Sequence, residues 1–194
     1  KIKKIQNLLK EKNINTLIIN RTDEFLNEYI SPDSERLRWA TDFSGSAGRA
    51  IIGQNSASLY VDGRYTFQAK EQVDTSQISL EHLNDFSKKL SEYFIKNECV
   101  ALDPRLHSIE ETLKYVDLMS KSETRLYFTE DNLIDELWDN KPNRNYGFVF
   151  DHPKNFAGIE SSKKLEHVIE TLDKNNLGAY FLSSLDSIAM ESKL

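Results

Sequence analysis

A single cysteine, Cys99, stands among the 194 residues. That excludes an intrachain disulfide and any thiolate metal cluster. Cys99 lies in the apolar run Cys99-Val100-Ala101-Leu102 and reads as a small buried hydrophobe rather than a nucleophile. Histidine is also sparse. His82, His107, His152 and His167 are scattered, with no His-Glu-x-x-His or comparable pair, so no metal site is expected within the chain. A Gly-x-Ser-x-Gly nucleophile elbow is missing, and on its own chemistry the sequence does not define an enzyme. No apolar run reaches the length of a membrane span, and Lys1 to Lys12 reads as a lysine-rich amphipathic helix rather than a signal peptide. A soluble, cytoplasmic protein without a membrane partner is the expectation. Basic residues number 25 against 31 acidic ones, a net charge of −6, which argues against a nucleic-acid partner because phosphate neutralisation needs a basic face.

What is present is enough for a core: 39% of residues are hydrophobic and 10% aromatic, which argues against global disorder. Ile2, Ile5, Leu8 and Leu9 share one face of a first helix. Thr16-Leu17-Ile18-Ile19 reads as a buried strand. Arg49 to Ile52 and Ala57 to Val61 read as two strands joined by the turn-forming Gly53-Gln54-Asn55-Ser56. Phe86, Leu90, Tyr93 and Phe94 mark a further helix before strand Val100 to Leu102. Ser108 and Glu111 form a capping box opening a helix to Ser120, with Ile109, Leu113, Val116 and Met119 as its inward stripe. Strand Arg125 to Phe128 follows. Helices alternating with short apolar strands, plus one hairpin, predict an α/β fold with a mixed sheet and helices on its faces.

The expected organisation is a first domain over residues 1–131, a linker over 132–153 containing one short helical turn, and the start of a second α/β domain over 154–194. In that last part Leu165, Val168, Ile169 and Leu172 make an amphipathic helix, and Gly178 to Leu182 reads as a strand before a helix start at Leu185. Helix then strand repeats the opening of the chain. About forty residues are too few for a complete core, so this second domain reads as truncated.

Three local features stand out as candidate sites. Gly45-Ser46-Ala47-Gly48 has the form of a backbone nest for an anion, but no Lys-Ser/Thr follows, and a tight turn into the next strand is the plainer reading of Gly45 and Gly48. In Asp62-Gly63-Arg64-Tyr65, Asp62 caps a helix start and Gly63 can take a positive φ at little cost. Arg64 falls in the first helical turn, where the dipole disfavours a cation. It therefore calls for an acidic partner or an anionic ligand, the ion pair being the simpler reading. Asp23, Glu24 and Glu28 cluster near a bend, without a histidine beside them.

These blocks, in order, are Thr22-Asp23-Glu24, Asn27-Glu28-Tyr29-Ile30-Ser31-Pro32, Trp39-Ala40-Thr41-Asp42-Phe43-Ser44-Gly45-Ser46-Ala47-Gly48 and Tyr60-Val61-Asp62-Gly63-Arg64-Tyr65, with Gln68-Ala69 after. Order and spacing together resemble the amino-terminal region of the aminopeptidase P (Xaa-Pro aminopeptidase) family, related to prolidase and creatinase. Asp103-Pro104, Asn132 to Asp135 with Trp138, and Ser184 to Ala189 agree in position and kind. The resemblance implies a ribonuclease-H-like creatinase N-terminal domain, then a similar domain, with a catalytic pita-bread domain absent from these residues. It implies a parent hydrolase that cleaves the bond between an N-terminal residue and a following proline, using two divalent metal ions, manganese by family habit, none of whose ligands fall here. By the same resemblance the amino-terminal domains support a homodimer and wall the active site. Glu28 and Arg64 match positions near that site or its interface. This portion alone is expected to be inactive. A freestanding, catalytically empty peptide- or protein-binding module of the same fold is the alternative. Beyond Ala189 the sequence departs from the family pattern, reading Met190-Glu191-Ser192-Lys193-Leu194.

Overall fold

A computed structural model describes residues 1–96 and 98–192, so Lys193 and Leu194 of the divergent end lie outside the described residues. It divides into two units, Lys1–Arg144 and Asn145–Leu194.

In the first unit α1 (Ile2–Glu11) is followed by β1 (Thr16–Asn20), α2 (Arg36–Thr41), β2 (Gly48–Gly53) and β3 (Ala57–Val61). Then come α3 (Thr66–Gln72), β4 (Ser79–His82), α4 (Phe86–Leu90), β5 (Cys99–Leu102), α5 (Ile109–Ser120), β6 (Arg125–Phe128) and α6 (Leu133–Leu137). The strands form one sheet in the order β4-β3-β2-β1-β5-β6. β2 runs antiparallel to both β1 and β3, and the remaining pairs are parallel, so only β2 is reversed. The expected mixed α/β sheet with helices on its faces is what forms.

Strand alternation sorts the core into two layers. Leu17 and Ile19, Ala50 and Ile52, Leu59 and Val61, and Cys99 and Ala101 face a cluster completed by Ile5 and Leu9 of α1 and by Leu37, Ala69, Leu133 and Ile134. The intervening Ile18, Ile51, Tyr60, Val100 and Leu102 face the opposite cluster, with Phe86 and Leu90 of α4 and with Tyr115 and Met119 of α5. Burial on both faces explains why Leu17 to Ile19 of β1 and Cys99 to Leu102 of β5 read as continuous apolar runs. Asn13, in the left-handed region at φ 55°, turns the chain from α1 into β1.

Several expectations need correction. Of the expected stripe on α5 only Met119 is buried: Ile109, Leu113 and Val116 are exposed, at 81%, 60% and 45%, and Tyr115 takes the inward place beside Met119. Tyr115 supplies the larger apolar body, and the ion pairs of Glu111 hold that face inward. The capping residue is right, since Ser108 Oγ accepts from the Glu111 amide at 3.1 Å. The Glu111 carboxylate, however, bonds His107, Tyr115, Arg49 and Asn20 rather than closing the box. Gly63 does not adopt a positive φ.

The linker also starts later than expected. Leu133 and Ile134 are core residues, Trp138 stacks on Trp39 with centroids 6.1 Å apart, and Arg144 pairs with Glu24 and Asp33. The division therefore falls after Arg144 rather than after residue 131. Two apolar side chains and two tryptophan faces outweigh the broken periodicity that made this stretch look like a connector.

The second unit holds α7 (Lys154–Ala157), α8 (Ser161–Lys174) and α9 (Leu185–Ser192). Leu165 and Ile169 of the expected amphipathic helix are half exposed. Gly178 to Leu182 does not form a strand, and Tyr180 and Phe181 are exposed. A strand exists through its ladder, and among the described residues no neighbour pairs with this run.

Candidate functional site

Five strands run one way, and the segments after β1, β3, β4 and β5, with the turn into β2, surround a cleft of about 1240 Å³. Open α/β sheets characteristically place ligands at the carboxyl ends of their strands. Both candidate residues, Glu28 and Arg64, line it.

Arg64 follows β3. Asp62 Oδ1 accepts from the Arg64 amide at 3.0 Å and from its Nε at 2.8 Å, so the expected cap and ion pair form on the same carboxylate. The guanidinium beside it holds Asp62 below the usual carboxylate range. Most of the Arg64 side chain remains open, with 71% exposed. Glu28 comes from the loop between β1 and α2. Its Oε1 accepts from Ser46 Oγ at 3.2 Å, and Ser46 Oγ lies 2.8 Å from the Tyr65 hydroxyl. The loop is tied from below, because Arg21 donates to the Glu28 carbonyl and pairs with Glu35 at 3.1 Å. Leu26 in this loop sits at φ 58°, a left-handed conformation rare for a leucine.

The acidic trio at the bend does not converge. Asp23 accepts from the amides of Phe25 and Asn27 in a local turn, Glu24 pairs with Arg144 at 3.0 Å, and only Glu28 reaches the cleft. Gly45 and Gly48 are required by packing. A Cβ on Gly45 would lie 2.3 Å from Phe43 Cζ, and one on Gly48 2.9 Å from Phe43 Cε1. The glycines admit the Phe43 ring beneath the turn, and no anion is needed to explain them. Among the described residues no three His, Cys, Asp or Glu side chains converge as a metal site. Burial pushes the Cys99 thiol up, as an inert core cysteine requires.

A polar cluster that sequence reasoning missed forms the opposite wall. Asn20 and Arg49 share the sheet face of Ile18 and Ile51, one pleat beyond each. Glu111 meets them from α5: Oε1 accepts from Tyr115 Oη at 2.8 Å and from Arg49, and Oε2 lies 3.0 Å from His107 Nδ1. Asn20 Nδ2 donates to the Leu106 carbonyl at 3.2 Å and to Glu111 at 3.3 Å. Burial alone would raise the Glu111 pKa, but the His107 hydrogen bond, the Arg49 charge and the Tyr115 hydroxyl bring it down to about 2. The Arg49 guanidinium lies 5.1 Å from the Phe86 ring centroid. The available signal was Glu111 and Tyr115 at i and i+4 on one helix, with a charged residue on a core-facing pleat of a strand.

A mixed sheet with one reversed strand, layered by helices and opening a cleft at its strand ends, defines the class as an α/β domain. The chain belongs to the creatinase/prolidase N-terminal domain family, matched over residues 1–136. Among curated relatives it is 29% identical to a probable Xaa-Pro aminopeptidase P of Paracoccidioides brasiliensis, over 97% of this chain and 32% of that protein. It is 31% identical to one of Coccidioides posadasii, over 97% of this chain and 30% of that protein. The chain thus spans about a third of the length of the curated relatives it matches. In fold it is similar to the X-prolyl aminopeptidase of Caenorhabditis elegans, described as a cytosolic enzyme with a di-nuclear active site, at TM-score 0.82 and 22% identity. That likeness covers 98% of this chain and 33% of that one. The N-terminal domain of the cytoplasmic peptidase PepQ of Mycobacterium tuberculosis is similar at TM-score 0.53 and 16% identity, over 70% of this chain and 96% of that domain. No described helix is long and apolar enough to cross a membrane.

Proposed function

We propose that this chain is the amino-terminal, non-catalytic portion of a metal-dependent Xaa-Pro aminopeptidase of the cytoplasm. The observation that carries the reading is the alignment of 97% of the chain with relatives named Xaa-Pro aminopeptidase P, along 32% of their length. The parent removes an N-terminal residue that precedes proline and acts as a homodimer. The first unit contributes to the dimer and walls the active site, with Glu28 and Arg64 at the wall. Two divalent ions, manganese in this reading, belong to the parent. The residues described here do not fit them, since no three ligating side chains converge, and no step is assigned to this chain.

The cleft supports the walling role. Arg64 is fixed at its root by Asp62 and open at its tip, and Glu28 is steadied by Ser46, so both present charge from a set position. The test uses the longer protein that carries this chain. Glu28→Gln and Arg64→Ala are expected to lower kcat/KM on an Xaa-Pro peptide about tenfold while thermal stability stays unchanged, the loss of one charge-assisted contact. Unchanged kinetics in both variants would return Arg64 to a structural ion pair and Glu28 to a loop tie. A longer protein that binds peptides without cleaving them would establish the freestanding binding module instead.

A further inference from the structure

Arg49 sits in the cleft with more hydrogen-bonding capacity than its partners use. Its Nη1 donates to Glu111 and Tyr115, while Nε and Nη2 have no partner among the described residues. The guanidinium is held on one side by the ionised Glu111 and lies near the Phe86 ring, and the side chain is 34% exposed. Such a fork is preorganised for a planar acceptor pair. Next to it the cleft is apolar. Leu83 and Leu118 line it, both packed against the cluster that holds Phe86 and Tyr115.

We infer that this cleft binds the carboxyl end of a short apolar peptide, with the carboxylate on the free edge of Arg49 and the neighbouring side chain against Leu83 and Leu118. The choice of a peptide over a phosphate compound follows from charge. Four cationic and four acidic side chains line the cleft, so its net charge is zero. A dianion placed on Arg49 would also face Glu111 and Glu28, whereas a peptide carries one negative charge and supplies donors for the surrounding acids. Arg21 does not compete for the carboxylate, since it is occupied by the Glu28 carbonyl and Glu35. The inference rests on the peptide-processing reading above but concerns binding by this chain itself.

The experiment is a titration of isotope-labelled 1–194 chain with leucyl-prolyl-leucine as the free acid, as its C-terminal amide, and with inorganic phosphate. The free acid is expected to shift the backbone amides of Arg49, Leu83 and Leu118 saturably. The amide should bind about tenfold more weakly, since it loses the charge-assisted pair, and phosphate should leave these amides unmoved. Arg49→Gln should abolish the difference between acid and amide. Should that variant fail to fold, the comparison of acid with amide on the unmodified chain decides alone. Equal binding of acid and amide, no saturable shift in the millimolar range, or displacement of the peptide by phosphate would each overturn the inference. Cleavage by the longer protein is a separate readout. A parent that cleaves while this chain ignores the free acid leaves the proposed function intact and removes the cleft site.

Discussion

Replacing Asp135 with alanine tests the placement of α6 and carries a magnitude that the structure supplies. Arg36 of α2 is 5% exposed at its side chain and makes a bidentate pair with Asp135, Nε to Oδ1 and Nη2 to Oδ2, both at 2.9 Å. Lys141 adds a third contact to the same carboxylate at 2.7 Å. Burial disfavours the Arg36 charge, and the Asp135 hydrogen bonds more than offset it. Asp135→Ala leaves the guanidinium buried, with Glu24 at 3.7 Å as the nearest remaining carboxylate. Breaking a buried pair from one side costs about 3–5 kcal/mol, and the Glu24 contact puts this case near the lower end. For a domain of this size that lowers Tm by about 6–12 °C, read by circular dichroism. The double variant Arg36→Met with Asp135→Leu should recover most of the loss, because it removes both charges and keeps the volume. A shift below about 2 °C in the single variant would mean that 132–144 is a connector after all.

Three further outcomes follow from the same geometry. Gly45→Ala should destabilise the first unit by about 1–3 kcal/mol in urea unfolding, since its Cβ would meet the Phe43 ring, whereas Gly178→Ala, with nothing within 4 Å, should change little. Glu111 titrates near 2 in the folded state against 4.5 ordinarily. A lowered pKa contributes stability that is complete above pH 5 and lost as pH falls toward 2, roughly 3 kcal/mol in all, and Glu111→Gln should flatten that acid limb of a urea-unfolding series. Limited proteolysis should cut first within residues 145–153, where Tyr146, Phe148 and Phe150 are exposed, and leave a fragment ending near Arg144. Early cleavage inside α6 would contradict the domain division.

Much of the sheet was readable because burial on both faces leaves a plain mark. Leu17-Ile18-Ile19, Ile51-Ile52 and Val100-Ala101-Leu102 are apolar whichever way each side chain points. β4 left no such mark: Ser79-Leu80-Glu81-His82 is an edge strand of mixed polarity, and its pairing with β3 is visible only in three dimensions. The face of α5 was misjudged, Met119 apart, because counting aliphatics favours Ile109, Leu113 and Val116, while the helix is held by Tyr115 beside Met119 and by a carboxylate bound to a strand arginine. A partly buried ion pair spanning 62 residues of sequence has no local signature. The Gly178 to Leu182 run shows the converse, since composition favours a strand but a ladder needs a neighbour. Of the site, Asp62 and Arg64 were legible from helix-capping chemistry, and Glu28 from its acidic cluster and the resemblance, although Asp23 and Glu24 of that cluster do not reach the cleft.

The central claim is that this chain is the accessory part of an Xaa-Pro aminopeptidase and carries no catalytic centre. The most direct measurement compares hydrolysis of an Xaa-Pro peptide by the purified chain and by the longer protein, each with added Mn²⁺. The account predicts turnover by the longer protein and none by the chain. Turnover that copurifies with the chain through successive columns would contradict it, and so would a longer protein that leaves the peptide intact.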